Sequence, residues 1–186
     1  RFRQPAGSLV GPEEPGHGSW GNMFFPMGDE FPDGYYHTCT GDRDELERWI
    51  ADSKQSFMNR LQWSVKEPGE VNREPVAVLN GDKSNHIITI QANPEEEIRL
   101  DASGSFDPDG DEIRFNWFRY READSYSGDF AIDNPGESVQ SIVVPSDLAG
   151  EEIHLVLEVR DKGTPGLVAY RRVIIKTFQQ LQISTR

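Results

Sequence analysis

Three aspartates alternate in the segment DPDGD at residues 107–111, and carboxylates at this spacing are candidate ligands for a hard cation. Calcium takes roughly six to eight oxygen ligands and offsets the mutual repulsion of carboxylates that converge in one turn. Asp161, at the end of a later predicted strand, adds a fourth carboxylate if the two loops share an edge. The segment therefore gives a candidate calcium site with the ligands Asp107, Asp109, Asp111 and Asp161.

A metal-free tight turn is the alternative for the same segment, and it is the interpretation that we favour. Pro108 presets φ, Gly110 accepts a positive φ, and aspartate side chains bond to nearby backbone amides. An EF-hand loop is excluded, because it requires glycine at its sixth position and a bidentate glutamate at its twelfth. Counted from Asp107, the glycine is fourth and Phe118 is twelfth.

Aromatic side chains form the second group of candidate functional residues, because sugar rings stack on exposed aromatic rings. Alternation in the predicted strand 112–120 turns Phe118 and Tyr120 away from the core, and Tyr170 lies outward on the predicted strand 168–177. These three rings are candidate carbohydrate contacts. The alternative, which we favour, is that a docked helix and the N-terminal loops cover them.

The first forty residues hold a further aromatic group among frequent glycines and prolines. Trp20, Tyr35 and Tyr36 are candidate carbohydrate contacts, and together with two nearby histidines they could line a ligand pocket. The alternative is an ordinary loop surface, since a segment of this composition rarely folds alone. Cys39 has no partner that the sequence places beside it, so no catalytic residue is assigned.

The charge balance of the chain excludes some classes of partner. Of 186 residues, 32 are acidic and 19 are basic, which gives a formal net charge of -13. Phosphate binding needs a clustered basic surface, so we expect no nucleic-acid partner. No apolar run is long enough to span a bilayer, so we expect no membrane partner. Neutral glycans, cations and basic proteins remain compatible with this charge.

One amphipathic helix is predicted at residues 43–63. Its apolar residues recur at intervals of three, four and seven, which places them on one stripe that must dock on the rest of the protein or on a partner chain. The stripe consists of Leu46, Trp49, Ile50, Phe57 and Leu61.

Seven strands are predicted from residue 75 onward, and turns rich in glycine, proline and asparagine separate them. Several alternate cleanly, and one of them carries Trp117 on its core face. This pattern is typical of a mainly β, immunoglobulin-like two-sheet sandwich, here preceded by a loop-rich segment and the helix. The predicted strands are 75–80, 86–91, 96–103, 112–120, 138–145, 151–161 and 168–177.

Two segments resemble the immunoglobulin-like modules of the polycystic-kidney-disease type: LDASGSFDPDGDEIRFNW at 100–117 and VRDKGTPG at 159–166. A narrower resemblance joins PVAVLNGD at 75–82 with IHLVLEV at 153–159 and AYRRVI at 169–174. These segments resemble the C-terminal domain of a bacterial family described as cellulose-binding, in which a nucleoside-hydrolase-like domain comes first.

The upstream part of the chain carries the same resemblance. HGSWG at 17–21 and RLQW at 60–63 look like the tail of that nucleoside-hydrolase-like domain. The resemblance, with the start at Arg1, implies that residues 1–66 end a truncated domain, that 67–74 form a linker and that 75–186 form the sandwich.

A function follows from the resemblance as an expectation. It implies a non-catalytic accessory module of a secreted carbohydrate-associated protein, extracellular or periplasmic, whose partners are a polysaccharide such as cellulose and the upstream domain of the same precursor. No cofactor is implied, and calcium is the one candidate ion. The alternative is a pocket wall of a nucleoside-hydrolase-like enzyme or glycosidase whose catalytic residues lie upstream.

Overall fold

The computed structural model describes residues 24–26, 36–38, 43–67 and 69–178, with side chains from residue 48 onward. Two short strands at the start, β1 (Phe24–Pro26) and β2 (Tyr36–Thr38), pair antiparallel. The helix α1 follows at Arg43–Gln62. Within the described part of the chain, no helix combines the length and apolar character needed to cross a membrane.

The larger sheet has four strands in the order β3, β8, β7, β5. β3 pairs parallel with β8, and the other two pairings are antiparallel. The long strands β7 and β8 lie in the middle and are buried along both faces, because one face packs on the second sheet and the other is covered. The bounds are Ile88–Ala92 for β3, Ile113–Arg119 for β5, Glu152–Asp161 for β7 and Val168–Thr177 for β8.

The smaller sheet pairs β4 (Glu97–Asp101) with β6 (Val139–Val143) antiparallel. Alternate residues of both sheets point inward and form one core, which is the arrangement of a β-sandwich. Trp117 lies in this core, and its indole N–H donates to the carbonyl of Glu137 at 3.0 Å. The predicted two-sheet sandwich is confirmed.

Six of the seven predicted strands are present, and the prediction of a strand at 75–80 is wrong. That segment makes two isolated bridges, Val76 with Phe106 and Leu79 with Asp82. The backbone N–H of Val78 bonds to the hydroxyl of Ser105, and that of Asn80 bonds to the carbonyl of Asp101 at the end of β4, so no continuous ladder forms. Arg171 of β8, which is fully buried, holds the end of the segment through Asp82, with Nη2 and Oδ2 3.1 Å apart.

A second, smaller core forms where α1 packs on the outer face of the four-stranded sheet. Trp49 is its centre and is 2% exposed. Its ring lies 5.2 Å from that of Tyr170 and 6.0 Å from that of Tyr120, both edge-to-face. These spacings are typical of favourable aromatic pairs. The indole of Trp49 therefore anchors the helix to the sheet.

The bounds predicted for the helix are right to within one residue, and Trp49 docks as predicted. The other residues of the predicted docking face whose side chains are described are exposed, so that part of the prediction is wrong. Ile50, Phe57 and Leu61 are 39%, 62% and 49% exposed. Trp49 lies about 100° around the helix from Ile50, and the buried face continues from Trp49 through Ser56 and Asn59. The docking face is mixed, because Trp49 packs on aromatic and apolar residues of the sheet, whereas Ser56 and Asn59 bond to the segment that precedes it. The side chain of Leu46 lies outside the described residues.

Candidate glycan-binding groove

A groove runs between α1 and the outward side of β5, and we call it the α1–β5 groove. It consists of two adjoining cavities of about 410 and 300 Å³. The volumes fall within the range of roughly 300–1,000 Å³ that is common for small-molecule sites. The residues that define it come from three elements: Arg48, Trp49 and Asp52 from α1, Arg114, Asn116 and Phe118 from β5, and Glu158, Arg160 and Tyr170 from β7 and β8.

Strand alternation brings these side chains to one face. Asn116 of β5 lies opposite Glu158 of β7, and Arg114 lies opposite Arg160. Directly opposed residues of an antiparallel pair have their Cβ atoms about 5 Å apart. Because β5 is the edge strand of the sheet, its outward side chains face the helix on one side and solvent on the other.

An ion-pair network fixes one wall of the groove. Both guanidinium Nη atoms of Arg160 donate to the carboxylate oxygens of Asp52, each at 2.7 Å, and its Nε donates to Glu158 at 2.9 Å. The hydroxyl of Tyr170 donates to Asp52 Oδ2 at 2.6 Å. A bidentate arginine–carboxylate pair holds both planes in one orientation. The wall is therefore ordered before any ligand arrives.

The network sets the charge states of its members. Burial alone would raise the pKa of Asp52, but hydrogen bonds from Arg160 and Tyr170 outweigh it and lower that pKa below its ordinary value. Burial and the hydrogen bond to Asp52 both raise the pKa of Tyr170. At neutral pH the groove therefore presents an ionised Asp52, a charged Arg160 and a neutral phenol.

The burial of two aromatic rings behind the groove contradicts one prediction. Tyr120 is fully buried and Tyr170 is 3% exposed, because Trp49 of the docked helix covers them. They are therefore not a stacking surface, and the alternative that a helix covers them is confirmed for these two rings. Phe118 is partly exposed and lies 5.9 Å from Trp49. It is therefore the more exposed of the two predicted rings that line the groove, the other being Tyr170.

Two polar side chains at the mouth have no hydrogen-bond partner within the described residues. Asn116 and Arg114 are both exposed, and neither donates to nor accepts from another side chain there. An amide offers a donor and an acceptor, and a guanidinium offers a planar fork of donors. Both are therefore available to hydroxyl or carboxylate groups of a ligand.

The aspartates of the 107–111 turn are engaged as hydrogen-bond acceptors. Asp107 Oδ1 accepts from the backbone N–H of Asp109 at 2.7 Å and of Asp111 at 3.2 Å, and Gly110 has a φ of 86°. Asp109 accepts from the backbone N–H and the Nε of Arg73, both at 2.7 Å. This hydrogen bonding lowers the pKa of Asp109. The geometry is that of a tight turn.

Asp161 serves the neighbouring hairpin in the same way. Its Oδ1 accepts from the backbone N–H groups of Gly163 and Leu167, both at 2.9 Å, and its Oδ2 accepts from Asn72 at 3.1 Å. Burial raises its pKa. Among the residues that the structure describes, no three histidine, cysteine or acidic side chains converge as a metal-ligand group. The hydrogen bonds described here favour the tight turn, and calcium at these four carboxylates stays a prediction.

The remaining predicted contacts lie outside the described side chains. Trp20 and Tyr35 fall outside the described residues, and of Tyr36 only the backbone in β2 is described. Asp52, Asn116, Glu158 and Arg160 were not predicted from the sequence. The alternation of β5 and β7 placed the last three on the outward face, but no sequence signal paired them with Asp52, which is 108 residues from Arg160.

Comparison with known proteins finds a family model that matches the larger part of the sandwich. Residues 97–177 match the family model described as the C-terminal domain of cellulose-binding protein Sde0182. This match confirms the resemblance predicted from the strand segments. No curated protein sequence matches the chain.

Two solved structures are similar to this chain. One is a nucleoside hydrolase-related hypothetical protein from Saccharophagus degradans that is associated with carbohydrate metabolism. It is 34% identical with a TM-score of 0.82, and the match covers 93% of this chain and 45% of that one. The chain thus spans less than half of that relative.

The other structure is the PKD domain from the KIAA 1837 protein, solved in solution. It is 16% identical with a TM-score of 0.37, over 65% of this chain and 100% of that domain.

Proposed function

We propose that this chain is a carbohydrate-binding accessory module and that it binds a polysaccharide such as cellulose in the α1–β5 groove. The observation that carries the proposal is the groove itself, in which an accessible ring, Phe118, adjoins polar groups in fixed positions. The family's description as cellulose-binding supports the ligand class.

The groove suits a sugar because sugar rings have one apolar and one hydroxyl-rich aspect. Phe118 offers its partly exposed ring to the apolar aspect. Asn116 and Glu158, opposed across the two strands, offer amide and carboxylate groups to neighbouring hydroxyls. Arg160 is already held by Asp52, so little side-chain ordering is left for the ligand to induce.

The proposal extends to the protein of which this chain forms part. We propose that residues 1–66 end a nucleoside-hydrolase-like domain, that 67–74 link it to the sandwich at 75–186 and that the whole is secreted. The nucleoside hydrolase-related relative, of which the chain covers 45%, supports an upstream domain as a partner. Its association with carbohydrate metabolism supports an extracellular or periplasmic location.

A binding measurement with matched variants tests the groove. We expect the purified chain to be retained by insoluble cellulose and to bind soluble cello-oligosaccharides in calorimetry. Phe118→Ala and Asn116→Ala should weaken binding, each by about tenfold, the loss of one good contact. Phe106→Ala is the control, because Phe106 is an exposed ring that lies outside the groove. Equal binding by all four proteins would contradict the proposal.

The alternative function is a pocket wall of a nucleoside-hydrolase-like enzyme or glycosidase. It is supported by the nucleoside hydrolase-related relative. Under this alternative the ligand contacts lie near Trp20 and Tyr35, and Phe118 makes no contribution to retention of the chain by cellulose. Turnover of a chromogenic glycoside or a nucleoside by the purified chain, abolished by a point substitution within it, would favour the alternative.

A further inference from the structure

Trp63 differs from the other tryptophans whose side chains the structure describes. It is 53% exposed, whereas Trp49 and Trp117 are each 2% exposed. An indole left half in water beside a concave surface is a common platform for an amphipathic ligand. Trp63 follows the last residue of α1, so it stands at the end of the helix and not on the face that docks on the sheet.

The concave surface beside it is a cleft of about 620 Å³. Val71, which is 6% exposed, forms an apolar part of its lining. At Gly69, with a φ of 94°, no atom lies within 4 Å of the position that a Cβ would take, so a ligand can approach the backbone there. The lining residues are Trp63, Lys66, Glu67, Gly69, Val71 and Arg73.

The charged side chains of the cleft provide both donors and acceptors. Arg73 is fixed by Asp109, with Nη2 and Oδ1 2.6 Å apart, and Lys66 donates to Gln62 at 2.8 Å. Glu67 adds a carboxylate to the same lining. A mixture of both signs around an aromatic ring suits the hydroxyl groups of a neutral sugar better than it suits an anion or an apolar peptide.

The cleft lies beyond the far end of α1 from the α1–β5 groove. Asp52 and Gln62 are ~15 Å apart along the helix axis at 1.5 Å per residue. An extended oligosaccharide of a few sugar units spans such a distance. The two sites also share no lining residue.

We infer that the cleft beside Trp63 is a second sugar-binding subsite, in which a sugar unit stacks on the indole and bonds to Lys66, Glu67 and Arg73. The inference rests on the proposed carbohydrate-binding function and assigns a second contact point for the same class of ligand. A chain that reaches both sites binds more tightly than one that fills either site, because the second contact is intramolecular.

The part of the tryptophan fluorescence change that Trp63→Ala removes reports this subsite, because Trp49 lines the α1–β5 groove and can respond to a ligand bound there. The experiment uses the chain with Trp20→Phe, which removes the tryptophan outside the described residues. We expect cellohexaose to shift the remaining emission saturably and Trp63→Ala to lower affinity in calorimetry by about tenfold. Trp63→Tyr, which keeps a stacking ring, should restore most of that affinity.

The Phe118→Ala variant separates this inference from the proposed function. If cellohexaose binds and Phe118→Ala weakens binding while Trp63→Ala does not, the second subsite is wrong and the groove stands. If Trp63→Ala alone weakens binding, the subsite is supported and the groove is wrong. If cellohexaose and cellulose both fail to bind, the proposed function fails and the subsite with it. Unchanged melting temperatures for the variants show that each loss is local.

Discussion

Protein donors bond to most of the carboxylate oxygens of Asp107, Asp109 and Asp161. Each oxygen that we have described accepts from a backbone N–H, from Arg73 or from Asn72. Such hydrogen bonds stabilise the ionised form and reduce repulsion between neighbouring carboxylates. A bound cation would have to replace several of them. Protein donors thus offset part of the repulsion that made calcium attractive in the sequence. Asp107 Oδ2 is nevertheless buried without a hydrogen-bond partner among the described residues, and the charge of Asp107 still helps to raise the pKa of Asp161.

We therefore expect calcium to leave the stability of the chain unchanged. The melting temperature in millimolar calcium chloride should equal that in an excess of chelator, because no ligand binds the folded state preferentially. Differential scanning calorimetry measures it, with Asp129→Ala as the control for an exposed carboxylate outside the turn. A rise with calcium that Asp109→Ala removes would restore the calcium site.

At the scale of elements, α1 presents two faces with different partners. Its docking face carries Trp49 in the second core and three polar attachments: Asp52 with Arg160, Ser56 with Glu74, and Asn59 with the carbonyl of Asn72. Its outward face carries exposed apolar side chains. The helix interface therefore combines Trp49, the one buried member of the apolar stripe among the described side chains, with polar residues outside that stripe.

Substitutions on the two faces should differ in how much they lower the free energy of unfolding. We expect Trp49→Ala to lower the free energy of unfolding by about 3–5 kcal/mol, since it leaves a cavity among three aromatic rings. Phe57→Ala should change it by less than about 0.5 kcal/mol, because the ring is 62% exposed. Urea unfolding followed by circular dichroism gives both values. A loss at Phe57 as large as that at Trp49 would mean that the outward face is also packed.

The bounds of most elements were predictable, and the faces of the helix were not. In β7 apolar residues alternate, and in β8 they occur from Val168 to Ile175, so the predicted and observed limits of both strands agree within one residue. For α1, periodicity correctly indicated a helix but favoured the stripe with more apolar residues. What decides docking is the set of partners on the sheet, Arg160 and Tyr170 among them, and these lie about a hundred residues away.

The candidate site was less predictable for the same reason. Sequence alternation turned Phe118 outward, and the structure leaves it partly exposed. Tyr120 and Tyr170 were turned outward by the same rule, but the helix covers them. Strand alternation distinguishes two faces of a sheet without showing which face meets solvent. That distinction requires the position of α1.

The molecule as a whole carries a formal net charge of -13, and several of its carboxylates are stabilised by local donors. The pKa of Asp82 is lowered to about 2, mainly by the hydrogen bond that it accepts from the backbone N–H of Ser84. The pKa of Asp101 is lowered to about 2, mainly by the hydrogen bond that it accepts from the hydroxyl of Ser103. Each therefore contributes stability that is present above its ordinary pKa of 3.8 and is lost as the pH falls toward 2.

We expect the stability of the chain to decrease steeply between pH 4 and pH 2. Asp124 and Asp161 act in the opposite direction, because burial raises the pKa of each, but the carboxylates with a lowered pKa outnumber them. Urea midpoints measured from pH 6 to pH 2 test the sign. Asp101→Asn should flatten this decrease, and a midpoint that rises on acidification would contradict it.

The position of β8 has a consequence for how the chain reaches its fold. β8 is the last of the described strands in sequence, yet it lies between β3 and β7 in the sheet. During synthesis, β3 has no neighbour in the sheet until β8 has left the ribosome. Pairings between distant segments are slow to form and expose apolar strands in the meantime. The interval before β8 emerges is therefore when the nascent chain depends most on chaperones.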